Sequence, residues 1–225
     1  MSDLIKSHIE QGVATLSMNS GKVNAFDHNL IDALKSKFDE LKVDATVKAI
    51  SLTGQEGVFS AGFDLKIMKS GPSEAEALIK SGGELLRDLY LYPKPLVFAA
   101  GGHAIAMGAV MLMVADYRIG VTGEFKTGLN ETHIGMALPE FFIALCKERV
   151  PLNLQTQAII LGELYPSYDA RDYGFYDVVS TPDQLDDQCF DKTKEIADYI
   201  EPKAFAENKR RLREALVKTY EGVWM

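Results

Sequence analysis

Hydrophobic and polar positions alternate at the start of the chain, from Leu4 through Ile9 to Glu10 and again from Val13 to Met18. A period of two on either side of Gln11-Gly12 predicts a β-hairpin with a tight turn. After the loop Asn19-Ser20-Gly21-Lys22 the period changes. Leu30, Ile31, Leu34, Phe38 and Leu41 fall on one helical stripe, with Asp27 placed to cap it and an end near Val43-Asp44. Ala49 to Thr53 is a short apolar run closed by Gly54, which predicts a buried strand. A helix is predicted from Ser73 to about Tyr92, where Pro93 and Pro95 stop it, and Leu96 to Ala100 is the next strand. The glycine turn Gly101-Gly102 leads to an apolar helix around Gly108 to Ala115, and Asp116 to Gly120 is another strand. Helical patterns follow over roughly 139–150, 153–162, 169–174 and 183–200.

Strands that alternate with helices predict an α/β fold with mostly parallel pairing. No repeat or interdomain linker interrupts the pattern. The one boundary is at Glu201-Pro202, where proline can open a last helix with Phe205, Leu212 and Leu216 inward. The expected organisation is a core over 1–200 and a helical appendage over 201–225.

Composition narrows the function classes. The 225 residues suit one domain, and a 47% hydrophobic share is enough for a core. Lys and Arg number 24 against 32 Asp and Glu, a net charge of −8, which argues against nucleic acid as a partner. Backbone N–H groups and a few lysines can still hold an anionic small ligand. Cys146 and Cys189 match no metal or redox spacing and read as reduced, buried thiols. The start, Met1-Ser2-Asp3-Leu4, carries no signal-peptide pattern, and no apolar run is long enough to span a membrane, so a cytoplasmic protein is expected.

Most motif readings fail on spacing. Gly101, Gly102 and Gly108 lack the gaps of a dinucleotide fingerprint, and Gly21-Lys22 lacks the rest of a P-loop. The hydrolase pattern G-x-S-x-G is absent. His8, His28, His103 and His133 are scattered, so no metal site is expected. Two junctions remain: Ala61-Gly62-Phe63-Asp64-Leu65 and Ile105-Ala106-Met107-Gly108-Ala109. Each is read as following a strand and leading into a helix, where the first N–H groups lack intrahelical partners. Two such groups aimed at one point form an oxyanion hole. Taken singly, each reads first as a tight junction that needs small residues for packing. Glu131 is the lone acid in Thr127-Gly128-Leu129-Asn130-Glu131-Thr132 and its apolar surroundings. Such a carboxylate either serves as a base with a raised pKa or forms an ordinary surface or ion-paired contact.

These segments, in this order and along nearly the whole chain, resemble the crotonase (enoyl-CoA hydratase/isomerase) superfamily. The resemblance implies a spiral of ββα units with the C-terminal helical appendage, and assembly as a homotrimer or hexamer. It implies an acyl-CoA thioester as substrate and no separate cofactor. Gly21 to Ala25 is similar to the family's first CoA-contact loop, which implies CoA contacts from Lys22, Val23, Ala25 and Ala61. Gly62, Asp64, Leu65 and Gly108 lie beside them, and Lys66 is placed for a phosphate. Lys209, Arg210, Arg211 and Arg213 are further candidates for the CoA 3′-phosphate, or else a solvated helix face. Phe59 to Lys66 looks like the family's A-G-x-D-[LI]-K segment, so Phe63 and Met107 correspond to the two oxyanion donors. Many members have glycine at Met107, so a methionine side chain must be housed near the thioester. Where hydratases similar to crotonase carry a first catalytic glutamate, this chain has Val110. The run Gly128 to Thr132 resembles the Δ3,Δ2-enoyl-CoA isomerase branch, in which one glutamate acts alone. The resemblance therefore implies double-bond isomerisation by Glu131, ahead of hydration, thioester hydrolysis, decarboxylation, or a catalytically weak CoA-binding subunit.

Overall fold

The computed structural model describes residues 4–220 and 223. The reading made on Met1-Ser2-Asp3 and the last part of the 201–225 segment lie outside the described residues. The hairpin is β1 (Ile5–Glu10) and β2 (Val13–Met18), antiparallel from Ile5 opposite Met18 to Glu10 opposite Val13. Gln11 and Gly12 both have positive φ, 50° and 82°, as a two-residue hairpin turn requires. Helix α1 (His28–Val43) starts at Asp27, whose carboxylate accepts the Leu30 N–H at 2.8 Å, and all five stripe residues are buried.

Three ββα units then follow. In the first, β3 (Ala49–Thr53) and β4 (Gly57–Ser60) precede the single turn α2 (Leu65–Met68) and the long α3 (Pro72–Tyr90). In the second, β5 (Leu96–Ala100) and β6 (Gly102–Ile105) precede α4 (Met107–Met113). In the third, β7 (Tyr117–Val121) and β8 (Thr127–Gly128) lead to a 3₁₀ turn over Glu131–Ile134 and to α5 (Glu140–Lys147). The first strand of each unit joins a six-stranded sheet of order β1-β2-β3-β5-β7-β10, closed by β10 (Val178–Ser180) and parallel beyond the hairpin. The second strand joins a smaller sheet of order β4-β6-β8-β9, with β9 (Leu164–Tyr165) antiparallel to β8.

The sequence pattern misses β4, β6, β8, β9 and β10. They are two to four residues long and four of them belong to the second sheet, so none carries a readable alternation. Glycine marks the corner where β6 begins: a Cβ on Gly102 would lie 1.9 Å from the Gly57 carbonyl carbon. The predicted helix over 153–162 is a 3₁₀ turn (Leu152–Leu154) followed by a π-helical turn (Thr156–Leu161). The remaining helices are α6 (Ser167–Asp172), α7 (Leu185–Tyr199) and α8 (Pro202–Thr219).

The central strands of the large sheet, β3, β5 and β7, are buried on both faces, as parallel strands require. On β5, Leu96, Phe98 and Ala100 enter the main core with α1, α3 and α4, while Val97 and Ala99 pack under α7 with Ile119, Cys189 and Ile196. Cys146 and Cys189 are free and buried. Among the described residues no helix is long and apolar enough to cross a membrane.

Helix α8 departs from its predicted orientation. Its buried positions are Lys209, Arg213 and Val217, whereas Leu212 is 79% exposed and Phe205 and Leu216 lie at the margin. The reason is Asp116, which accepts the Leu96 N–H (2.8 Å) and Lys209 Nζ (2.7 Å) and pairs with Arg213 at 3.0 Å. Arg213 also donates to the carbonyls of Tyr90 and Val114, while Arg149 donates to that of Ala115. Cations thus satisfy the orphan carbonyls at the end of α4.

Replacing Asp116 by alanine leaves two buried cations without their carboxylate. The expected loss is about 3–5 kcal/mol by urea denaturation, with α8 cut first in limited proteolysis. A loss below about 1 kcal/mol, the range of an exposed pair, would show that Asp116 does not hold α8.

Candidate active site

The backbone between β4 and α2 spends nearly all its donors internally. Ala61 N–H goes to the Val23 carbonyl (3.0 Å), Gly62 N–H to Ser60 Oγ (3.1 Å), and Asp64 N–H to the Phe26 carbonyl (3.0 Å). Phe26 N–H returns to the Gly62 carbonyl, making a parallel bridge between Phe26 and Phe63. In such a bridge the central residue's own N–H points to the opposite side, and that of Phe63 finds no protein acceptor among the described residues. The predicted helix-terminus role does not apply to Phe63. Helix α2 has four residues and begins at Leu65, so Phe63 is a strand-edge donor. Asp64 caps that turn through its carboxylate, which takes the N–H groups of Lys66 (2.7 Å) and Ile67 (3.3 Å).

The second junction is held under strain. Ala106 has φ 54° and ψ −126°, a conformation that costs a non-glycine residue about 1–3 kcal/mol. Its N–H donates to the Gly128 carbonyl (2.9 Å), and its own carbonyl takes the N–H groups of Ala109 (2.8 Å) and Val110 (3.0 Å). Met107 is then the first residue of α4, and its N–H has no intrahelical acceptor. Gly62, at φ 99°, brings the two junctions together. A Cβ there would lie 2.9 Å from Ala106 Cβ and 3.5 Å from Met107 N. Gly108 is packed as tightly: its Cβ would fall 2.5 Å from the Ser60 carbonyl oxygen.

Glu131 is anchored to the same frame. Gly128 pairs with Ile105 across β8 and β6, and the chain runs through fully buried Leu129 and half-buried Asn130 to the 3₁₀ turn that Glu131 opens. The Glu131 residue is 9% exposed, and its Oε2 is buried without a hydrogen-bond partner. Burial pushes its pKa from the usual 4.5 up to about 7, against a smaller opposing effect of its own backbone N–H. On α5, burial raises the thiol of Cys146, and the Glu131 charge adds to the effect. His133 is exposed, and Val110 is fully buried within α4. Met107 is buried, and Phe63 stacks on Phe142 of α5 at 6.2 Å between ring centres.

The predicted CoA contacts form one ledge beside the junctions. Lys22, Val23, Ala61, Leu65 and Lys66 are exposed, Ala25 and Asp64 are half-buried, and Gly62 and Gly108 are buried. Asn24 organises this ledge and has no role in the sequence reading. Its side chain donates to the Phe59 carbonyl (3.1 Å), while its Oδ1 accepts from Ser20 N–H and Gln55 Nε2. Its left-handed backbone (φ 46°) is the one signal a sequence could carry, since asparagine tolerates that region. The basic run in α8 divides between two faces. Lys209 and Arg213 are buried on Asp116, and Arg210 and Arg211 pair with Glu207 and Glu214 on the exposed face. A cavity of about 640 Å³ lies on the outer face of the large sheet, lined by Thr15, Ser51 and Cys189. Burial drives the Cys189 thiol up to about 12, so it is no nucleophile at neutral pH, and Glu131 lies elsewhere. Among the described residues no group of three or more His, Cys, Asp and Glu is placed to hold a metal.

Comparison with known proteins agrees with this geometry. A family model described as enoyl-CoA hydratase/isomerase matches residues 8–222. Rat mitochondrial enoyl-CoA delta isomerase 1 is 26% identical over 230 residues, covering 96% of this chain and 80% of the relative. A probable enoyl-CoA hydratase of Bacillus subtilis is 28% identical over 223 residues, covering 95% and 83%. The structure of an enoyl-CoA hydratase/isomerase family protein from Pseudomonas syringae superposes with a TM-score of 0.94 at 34% identity, covering 99% of this chain and 96% of the other.

A buried, unpaired carboxylate has a stability signature whatever its chemistry. Its folded pKa of about 7 lies above the ordinary 4.5, so between those values the folded state holds the proton more tightly. Stability therefore falls as pH rises through that window. Glu131→Gln removes the cost, and the variant should equal the parent near pH 4.5 and exceed it by up to about 3 kcal/mol at pH 8. Urea denaturation of both proteins across that range checks this, and a difference that does not change with pH would contradict it.

Proposed function

Because the chain belongs to the enoyl-CoA hydratase/isomerase (crotonase) family of acyl-CoA-processing enzymes, we propose that it moves the double bond of a 3-enoyl-CoA to the 2-position, with Glu131 as the only acid–base group. The observation that supports this reading is Glu131 Oε2, among the described residues the one buried carboxylate oxygen without a partner, while buried Val110 offers no group that could handle a proton.

In the proposed mechanism the thioester carbonyl accepts hydrogen bonds from the Phe63 and Met107 N–H groups. Glu131 takes a proton from Cα, and the electron pair delocalises through the double bond into the carbonyl as a dienolate. The two N–H groups stabilise that oxygen charge, an effect of about 3–4 kcal/mol for each donor in related chemistry. Protonated Glu131 then delivers the proton to Cγ, which leaves the double bond conjugated with the thioester. A carboxyl that titrates near 7 suits both halves, since it gives the proton back as readily as it takes it. Hydration needs a second group to activate water, and the hydratase name of the Bacillus subtilis relative keeps that reaction in the test.

The assay follows conjugation of a 3-enoyl-CoA by absorbance. Glu131→Gln should lower kcat by about 10³-fold or more, and kcat/KM of the parent should rise with pH to a plateau above about 7. Hydration of a 2-enoyl-CoA as fast as isomerisation would replace this reading by the hydratase one, and full activity of the Gln variant would remove Glu131 from the mechanism.

The proposed assembly is a homotrimer. Ile134, Leu152, Ile160 and Leu161 are all exposed, on three short helical turns of which Thr156–Leu161 contacts the other two. Isolated apolar residues need no explanation, but a cluster marks an interface. In light scattering the parent should weigh three chains of 24.8 kDa, and Ile160→Glu should shift it towards one. A monomeric parent would exclude the assembly.

A further inference from the structure

Helix α3 carries Gly82-Gly83 at its middle, both buried, in a helix otherwise rich in leucine and charged residues. Glycine is the poorest helix former after proline, so an interior pair needs a reason. At Gly82 the structure supplies one. A Cβ there would lie 2.6 Å from Cζ and 2.7 Å from Cε1 of Phe63, and 3.4 Å from Cε of Met107. The side chains of both candidate oxyanion donors therefore end on the same bare patch of backbone.

We propose that Gly82 is a positioning residue for the oxyanion site: its missing side chain seats Phe63 and Met107 so that both their N–H groups face the thioester carbonyl. This rests on the assignment of those two donors made above. Neither side of the contact yields without cost. The Phe63 ring is backed by Phe142, itself 1% exposed, and its backbone is pinned by the Phe26 bridge. Helix α3 is fixed by buried Leu78, Leu85, Leu86 and Leu89 and by the Lys35–Glu84 pair with α1 at 2.9 Å. The added methyl of Gly82→Ala would therefore act mainly on Phe63. The Met107 contact is longer and involves the flexible end of its side chain, which can turn aside. A shift of the Phe63 backbone by a fraction of an ångström moves a donor whose value depends on its distance to the oxyanion.

The atoms that collide, Cζ and Cε1, do not exist in leucine, so Phe63→Leu relieves the clash. Four proteins are compared: parent, G82A, F63L and G82A/F63L. Turnover of a 3-enoyl-CoA gives kcat and KM. Titration with acetoacetyl-CoA gives binding of a thioester carbonyl independently of the reaction. G82A should lose about tenfold or more in kcat with KM changed less than threefold, and should bind acetoacetyl-CoA more weakly. The double variant should return to within about threefold of F63L alone in both measurements. If G82A does not fold, a folded G82A/F63L that matches F63L supports the same seat. A G82A protein equal to the parent in kcat and in binding overturns the proposal, as does a double variant no better than G82A. If the parent does not turn over 3-enoyl-CoA while the binding pattern holds, the isomerase reading fails and the role of Gly82 stands.

Discussion

The contact between Gly62 and the Ile105-Ala106-Met107 backbone is the constraint on which the rest of the molecule turns. Two chain segments from successive ββα units meet there with no side chain between them, and a methyl group at Gly62 would be 2.9 Å from Ala106 Cβ. Backbone donors from separate units can share one target only when they come this close. The ββα spiral produces the approach because β4, β6 and β8 lie side by side in the small sheet and each exits at the same edge. Ala106 carries the strain of that turn, and hydrogen bonds to Gly128, Ala109 and Val110 hold it there. The Gly128 bond also fixes the strand that leads to Glu131, so donors and carboxylate share one rigid frame.

Two acids show how the same side-chain chemistry serves opposite ends. Asp116 sits among Lys209, Arg213 and the Leu96 N–H, and its charge is answered from three directions. Glu131 is as deeply placed, yet Oε2 has no partner, and its neighbours are buried Leu129 and an unionised thiol. The first arrangement ties down a helix. The second makes ionisation costly near neutral pH, which destabilises the fold and keeps the proton exchangeable. Stability alone does not favour an unpaired buried carboxylate, which is the ground for the chemistry proposed at that position.

Legibility in the sequence followed the length of each pattern. The five-residue stripe of α1 and the apolar run of β5 identify themselves because burial repeats over several turns or strand positions. The second sheet was invisible because β8 and β9 have two residues each and β4 and β6 only four. In α8 the apolar rule pointed to Leu212, whereas the buried stripe is Lys209, Arg213 and Val217, cations drawn in by an aspartate more than ninety positions earlier. The candidate site was readable where it consists of neighbours in sequence, such as the apolar setting of Glu131. It was unreadable where it depends on long-range packing, as with Asn24 bonded to Phe59 and Gln55, or Gly82 beneath Phe63.

The proposed chemistry also explains why a backbone-only oxyanion site tolerates the side chains found here. An N–H group does not depend on residue type, so Phe63 and Met107 are free to serve as wall as well as donor. Buried apolar groups around the donors lower the local dielectric, which strengthens each hydrogen bond to a developing negative oxygen. Hydration would need a water molecule held beside Cβ of the substrate, and apolar groups do not hold one. Val110 acts in the same direction, since it replaces a proton carrier with a hydrocarbon in the first turn of α4. In the proposed mechanism, apolar packing at the donors and the exchangeable carboxylate of Glu131 thus favour one outcome, the return of the proton to carbon.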